Sequence, residues 1–451
     1  MTDPRPTNGN AGHGGQRNGG SRSSQTGRYL VLLADGATPE ELHKVPGTAQ
    51  MKIANSRDFD EDADSLSTLA ADEGIVFDEI GVAVMPIEPQ TAGRMRGAAA
   101  SSPAILAVEP ERILHTMEIG EAAGASTPGE YLRGYRDATM RLIDGLLSNG
   151  AGREIEARAP APQAFNESRL TWGLQVTNAA ASTFTGRGVR VAVLDTGLDL
   201  THPDFEGRTL VAKSFVPNES VQDGHGHGTH CAGTAAGTKA PDVLPRYGVA
   251  PDAALFIGKV LSNGGSGADR GILAGIDWAV RNRCHVISMS LGANVAPGDP
   301  FSTVYETAAK RAMAKGSLIV AAAGNASSRP GTIRPVSHPA NCPSIMAVAA
   351  LDWDLLVALF SCGGINPNGG QVDIAGPGVN VYSSFKLPQE YRRLNGTSMA
   401  TPHVAGIAAL LREANPNATA ADLWSLLVRG AMRLPLPSTD VGAGLVQAPL
   451  S

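Results

Sequence analysis

Cysteine is scarce in this chain: Cys231, Cys284, Cys342 and Cys362 are the only four among 451 residues. That is too few for a disulfide scaffold, and their spacing is not of the metal-binding kind. Buried free thiols are expected, with a Cys342–Cys362 bridge allowed but unsupported. No apolar run reaches membrane-spanning length. The opening MTDPRPTNGNAGHGG lacks the apolar stretch of a secretory signal. The expected location is therefore the cytoplasm, with a non-standard export route left open. Basic residues form no concentrated stripe and the net charge is −6, which argues against a nucleic-acid scaffold. What remains, 42% apolar and 18% charged residues, is the balance of a globular enzyme. The length holds one large domain plus a smaller one.

Residues 1–27 carry almost no large apolar side chain and read as a disordered tail. Order begins at Arg28 with YLVLLA. A capping-box helix start follows at Thr38-Pro39-Glu40-Glu41. Asp58 to Asp64 reads as a solvated acidic surface. Two strand-like runs lie within Ile75–Ile87, separated near Gly81. A helix over Pro89–Ala100 and a short strand over Ala104–Val108 complete a β-α-β-β-α-β order. That order fits a small ferredoxin-like unit. Apolar spacing predicts a further helix over Glu130–Leu147. Residues 151–165 read as an exposed linker, open to cleavage.

From Asn166 onward, short continuous apolar runs alternate with helical stretches. The runs are Val189–Leu194, Leu255–Leu261, Val286–Leu291, Leu318–Ala323 and Ile345–Ala350; Gly271–Arg281 and Thr303–Ala314 are helical. Continuous runs mean that both sheet faces are covered, which predicts a parallel α/β sheet between helix layers. Ligands in such sheets sit beyond the carboxyl ends of the strands.

The polar residues of interest fall at those ends. Asp195 follows VRVAVL, as either a turn residue or the group that orients a histidine. DGHGHGTHCAGT supplies His225, His227 and His230 without the HExxH pattern of a zinc site. His227, between glycines, is the candidate general base; His230 packs inside the following helix, and His225 is peripheral. AAAGN ends a strand at Asn325, which is a turn residue alone but an oxyanion donor beside a nucleophile. GTSMATPHVAG opens a buried helix at Ser398, with Pro402 expected in its first turn. Ser398 is either an N-cap or a nucleophile held where helix N–H groups meet developing negative charge.

Taken together, VLDTG, HGTHCAGT, SMSLG, AAAGN and GTSMATPHVAG resemble, in that order, the subtilisin-like serine peptidases. The order Asp…His…Ser differs from those of chymotrypsin and the α/β-hydrolases. Cys231 is similar to the proteinase K branch. The resemblance implies a three-layer α/β catalytic domain over residues 166–451. Asp195, His227 and Ser398 would form the triad, with Asn325 as oxyanion donor. Substrate would lie as an extended strand against Gly265, Ser266, Gly267 and against Ser290, Leu291, Gly292. The base of the P1 pocket would lie near Ser337 and His338. No acidic cluster there favours dibasic cleavage, and an apolar or neutral P1 residue is expected.

More weakly, residues 28–116 resemble the inhibitory pro-domain of that family, an α+β ferredoxin-like unit acting as intramolecular inhibitor. Residues 117–165 are a helix and linker outside the pattern. Self-cleavage is expected between about Ala151 and Asn166. The family's calcium loop is not recognisable in Lys239–Gly248. Asp204 matches one family calcium ligand, so calcium is allowed but not implied and no cofactor is expected. The expected partners are protein or peptide substrates, without nucleic acid or membrane, and the expected state is a monomer. A non-catalytic peptide binder on the same scaffold is the competing reading.

Overall fold

The computed structural model describes residues 26–37, 42–44, 48–59, 72–99, 104–119 and 165–451. The capping box at 38–41, the helix over 130–147 and nearly all of the 1–27 tail and 151–165 linker lie outside them.

The N-terminal unit contains β1 (Tyr29–Leu33), β2 (Ile53–Asn55), β3 (Gly74–Phe77), β4 (Val82–Met85), helix α1 (Pro89–Ala99) and β5 (Ile105–Pro110). Its sheet has the order β2-β3-β4-β1-β5, antiparallel throughout except for the β2–β3 pair. Antiparallel strands with one wet face alternate in hydrophobicity. Here β1 reads YLVLL and every residue of it is buried. The reason is that both faces are covered. Tyr29, Val31 and Leu33 join Ala92 and Met95 of α1 in one apolar cluster. Leu30 and Leu32 join the core of the large domain.

Glu109 and Glu111 fasten this unit to the rest of the chain. Helix α4 spans Asp269–Arg281 and α5 spans Thr303–Ala314. The Arg270 N–H donates to Glu111 at 2.9 Å, and those of Thr303 and Val304 to Glu109 at 2.8 and 3.2 Å. Each carboxylate thus sits on a helix N-terminus, where orphan N–H groups and the helix dipole favour negative charge. Arg311 of α5 donates back to the carbonyls of Leu33 and Ile80 at 2.7 and 2.9 Å.

The large domain is built on β7 (Arg190–Asp195), β8 (Leu210–Ser214), β9 (Ala254–Lys259), β11 (Val286–Met289), β13 (Leu318–Ala322), β14 (Met346–Leu351) and β15 (Ile374–Pro377). These run in the order β15-β14-β13-β11-β7-β9-β8, all parallel. The five central strands are the five continuous apolar runs. The two edges escape sequence reading for separate reasons: β8, LVAKS, is half-exposed with only three apolar residues, and β15, IAGP, carries Gly and Pro.

Helix α3 (His227–Ala236) and the long α6 (Thr397–Ala414) pack together on the sheet. Every residue of α6 from Thr397 to Leu411 is buried. Such a helix must be apolar on all sides. Among the described residues no helix is long and apolar enough to cross a membrane.

At Gly406 the helix α6 runs close to its neighbours. A Cβ there would stand 2.6 Å from Val249 Cβ and 2.7 Å from the Ala235 carbonyl oxygen. Because a backbone oxygen cannot step aside, Gly406→Ala is expected to cost about 1–3 kcal/mol. Thermal or urea unfolding of the variant checks this; an unchanged midpoint would show that the two helices are not in rigid contact.

Candidate active site

Asp195 ends β7 and is fully buried. Its Oδ1 accepts the Thr196 N–H at 2.7 Å and meets His227 Nδ1 at 2.7 Å. His227 is the first residue of α3 and is equally buried. Burial alone would pull its pKa down. The charge and hydrogen bond of Asp195 more than offset that, and the imidazole is held well above its ordinary value. Behind the ring lies Cys231, its Sγ 3.9 Å from Nδ1; burial pushes that thiol up to about 11, so it stays protonated.

Ser398 stands in the first turn of α6. Its hydroxyl donates to the Ser290 carbonyl at 3.1 Å, and His227 Nε2 has no hydrogen-bond partner among the described residues. The serine–histidine hydrogen bond is therefore not formed in this arrangement. Helix α6 begins at Thr397, so Pro402 is its sixth residue and not part of the first turn. The N–H that Pro402 lacks would have bonded the Ser398 carbonyl. That oxygen instead accepts from Ser290 Oγ at 2.8 Å and from Cys231 Sγ at 3.6 Å. A helix-breaking residue is tolerated because neighbouring side chains take over the freed acceptor.

Asn325 follows β13. Its Oδ1 accepts from both the N–H and the hydroxyl of Thr397, at 2.9 and 2.8 Å, which leaves Nδ2 facing the site. Nδ2 donates to the Met117 carbonyl at 2.7 Å, and the Ser398 N–H donates to the same oxygen at 3.3 Å. Gly396, at φ +154°, makes room for it: a Cβ there would stand 2.4 Å from that oxygen. The spacing of the motifs does not single out Gly396 and Thr397. Their roles depend on the approach of Met117 and Asn325, which no local pattern records.

The two expected substrate walls meet a segment of the chain itself. Strand β6 (Ile113–Thr116) lies antiparallel between β10 (Ser266–Ala268) and β12 (Leu291–Gly292). Thr116 N–H donates to the Gly265 carbonyl at 3.0 Å and Met117 N–H to that of Ser290 at 3.3 Å. Gly265, Ser266, Gly267, Ser290, Leu291 and Gly292 thus line one extended strand through backbone groups. The Met117 side chain is nearly buried and runs beside Gly292, where a Cβ would stand 2.6 Å from its Cε and 2.7 Å from the His338 carbonyl. Ser337 Cβ is 3.6 Å from the same point. The His338 ring turns away, edge-on to Tyr305 at 4.6 Å. The threaded segment is residues 113–119; the expected cleavage stretch between about Ala151 and Asn166 lies almost entirely outside the described residues. Linker composition reports exposure, whereas threading depends on which residues can lie flat against both walls.

The other histidines part company. His230 Nε2 reaches the carbonyls of Val381 and Arg392 at 3.0 and 3.2 Å, and burial lowers its pKa to about 3. His225 is not peripheral: its ring centre is 6.2 Å from that of His227. Lys259, wholly buried, donates to the Thr196 carbonyl at 2.6 Å and pairs with Glu219 at 3.2 Å, supporting the loop that carries Asp195.

All four cysteines are free, and Cys342 donates to the Ser302 carbonyl rather than bridging to Cys362. Asp204 faces donors: the Asp242 N–H at 2.9 Å, Tyr247 Oη at 2.5 Å and Tyr391 Oη at 3.1 Å. A calcium ion needs carboxylate oxygens turned toward it. These are turned toward N–H and O–H groups, so the surroundings of Asp204 do not fit that ion.

Residues 186–445 match the model of the Subtilase family, Peptidase_S8. Subtilisin Savinase of Lederbergia lenta is 44% identical over 284 residues, covering 62% of this chain and 97% of that protein. An alkaline protease of Alkalihalobacillus alcalophilus is also 44% identical over 284 residues, 62% of this chain and 69% of its own length. Subtilisin E of Bacillus subtilis strain 168 is 43% identical over 243 residues, 53% of this chain and 59% of its own.

If His227 acts as a base, it must be neutral to accept a proton. Its raised pKa therefore puts the acid limb of the kcat/KM profile above pH 6.5, with activity rising as pH rises through the limb. Asp195→Asn removes the charge that raises it. The limb should move to lower pH while kcat falls, by about 10⁴-fold if the loss matches that of the corresponding substitution in a chymotrypsin-type triad. A pH–rate series on both proteins checks this.

Proposed function

The chain belongs to the subtilase family and is a serine endopeptidase of the subtilisin type; we propose that it works through Asp195, His227 and Ser398 and is made as a self-processed zymogen. The observation that carries this reading is the Met117 carbonyl, received by two N–H donors beside the Ser398 hydroxyl. The N-terminal unit is then an inhibitory, ferredoxin-like pro-domain. The strand order β3-β4-β1-β5 and the two glutamates on helix N-termini support that assignment. Kinship with the proteinase K branch has Cys231 alone in its favour.

The chemistry follows from the atoms. Ser398 Oγ turns from the Ser290 carbonyl toward His227, gives its proton to Nε2 and bonds to the Met117 carbonyl carbon. Asn325 Nδ2 and the Ser398 N–H receive the negative oxygen. His227 passes the proton to the Glu118 nitrogen as the Met117–Glu118 bond breaks, leaving an ester on Ser398. Water then hydrolyses the ester by the same relay. Asp195 holds the Nδ1–H and stabilises the imidazolium. The first cut is intramolecular and falls after Met117, because a threaded segment is already positioned and needs no encounter. An apolar P1 residue fits the covered channel beside Gly292.

The competing reading, a peptide binder without turnover, has the Ser290-bound hydroxyl of Ser398 in its favour. Fluorophosphonate labelling of the processed protein separates the two, since only an activated serine is modified.

Intact-mass measurement tests the processing. Wild type should yield a chain beginning at Glu118, whereas purified Ser398→Ala should keep the Met117–Glu118 bond. Asn325→Ala should slow the cut by about 10²–10³, the loss known for the oxyanion asparagine of subtilisin itself. Trimming of Ser398→Ala at the wild-type rate would exclude self-cleavage.

We also propose that the Asp204 cluster replaces a calcium ion as the fastening at that place. Tyr247→Phe should lower stability by about 1–3 kcal/mol, since it leaves a buried carboxylate short of a donor. Calcium titrated into this variant during thermal melts should not restore the loss; restoration would mean that Asp204 is a calcium ligand.

A further inference from the structure

We infer that His225 is a specificity residue, selecting an acidic side chain immediately after the bond to be cut. The inference rests on the reading that the Met117–Glu118 bond is the one broken.

Glu118 has little freedom. The Met117 carbonyl ahead of it is held by Asn325 and Ser398, and the Ile119 N–H behind it donates to the Asn395 carbonyl at 2.8 Å. With the backbone pinned on both sides, the Glu118 side chain is directed to one wall. Its Oε1 lies 3.9 Å from His225 Nε2, and each side chain keeps only 23% of its exposure. A separation of that size closes to a hydrogen bond with a small rotation of either side chain.

His225 is built into position. Asp223 Oδ1 accepts the N–H groups of His225 and Gly226, at 2.9 and 2.8 Å, and the Thr196 hydroxyl at 2.9 Å. That carboxylate is almost fully buried, so the loop is stapled from inside. Across the groove, Gly265 at φ +77° leaves the ring its space, since a Cβ there would stand 3.0 Å from Nε2. The ring's other nitrogen, Nδ1, is buried and has no partner among the described residues. No competing hydrogen bond fixes the ring, and Nε2–H is available to a carboxylate. An imidazole donates that hydrogen bond as the Nε2–H tautomer or as the imidazolium, and a carboxylate facing Nε2 favours both of those forms. A lysine or arginine in the place of Glu118 would instead bring a cation against a donor. The same preference would govern substrates cut after the pro-domain has left.

The test uses full-length wild type, His225→Ala and His225→Glu, each allowed to mature. Internally quenched peptides carry Ile-Leu-His-Thr-Met followed by Glu, Gln or Lys. Wild type should favour Glu over Lys by about tenfold in kcat/KM, the scale of one partly covered charge contact. The ratio should fall to near one in His225→Ala and invert in His225→Glu. Within the intact chain, Glu118→Lys should slow appearance of the new N-terminus, and adding His225→Glu should restore it. That rescue distinguishes recognition from damage to the loop, which a second substitution would not repair. The same Glu-to-Lys ratio in all three enzymes, or no rescue, overturns the inference. A wild type that cuts all three peptides equally overturns this inference alone. One that cuts none overturns the hydrolytic reading with it.

Discussion

A parallel sheet brings all its carboxyl ends to one edge, and everything chemical in this protein is hung on that edge. β7, β11 and β13 are neighbours, and they release Asp195, Ser290 and Asn325 side by side. α6 then drives its N-terminus into the same edge. The hydroxyl of Thr397 is the hinge pin, donating to Asn325 Oδ1 while accepting the Gly324 N–H at 3.1 Å. Because the asparagine is gripped through its oxygen, its nitrogen can only face the groove. Preorganisation of this kind costs nothing at the moment of reaction, which is why fixed donors outperform water.

The groove recognises backbone before side chains. β6 supplies a third strand between two wall segments, so affinity comes from N–H and C=O groups that every peptide has. The chain holds its own residues 113–117 in this way. Backbone recognition also explains the construction of the N-terminal unit. A single strand would dissociate easily, but this one is tethered to a sheet whose second face is buried in the large domain. Glu109 and Glu111 lock that sheet to α5 and α4 at the two places where helix dipoles attract carboxylates.

Legibility varied with how local each cause was. The five inner strands could be read because a doubly buried strand must be apolar at every position. β8 could not, since one exposed edge needs no such run. The buried start of α6 was visible in GTSMATPHVAG, yet Pro402 was misplaced within it. The donor that makes a proline tolerable one turn further in comes from Ser290, 108 positions away from the Ser398 carbonyl it satisfies. His225 passed for peripheral because its partner, Glu118, belongs to a different unit. Glu109 and Glu111 carry no local signal of their role for the same reason: the helix N-termini that receive them belong to the large domain.

The sequence alone determined the candidates: a carboxylate, an imidazole, a hydroxyl and a carboxamide, each at a strand end or helix start where a turn or cap reading also stood. It did so because turn glycines, strand ends and helix starts are written over a few consecutive residues. Only the tertiary structure decided which carbonyl enters the site, which way the serine hydroxyl points and what surrounds Asp204. Those outcomes depend on distances between segments tens to hundreds of residues apart, and such distances are set by packing of the whole core.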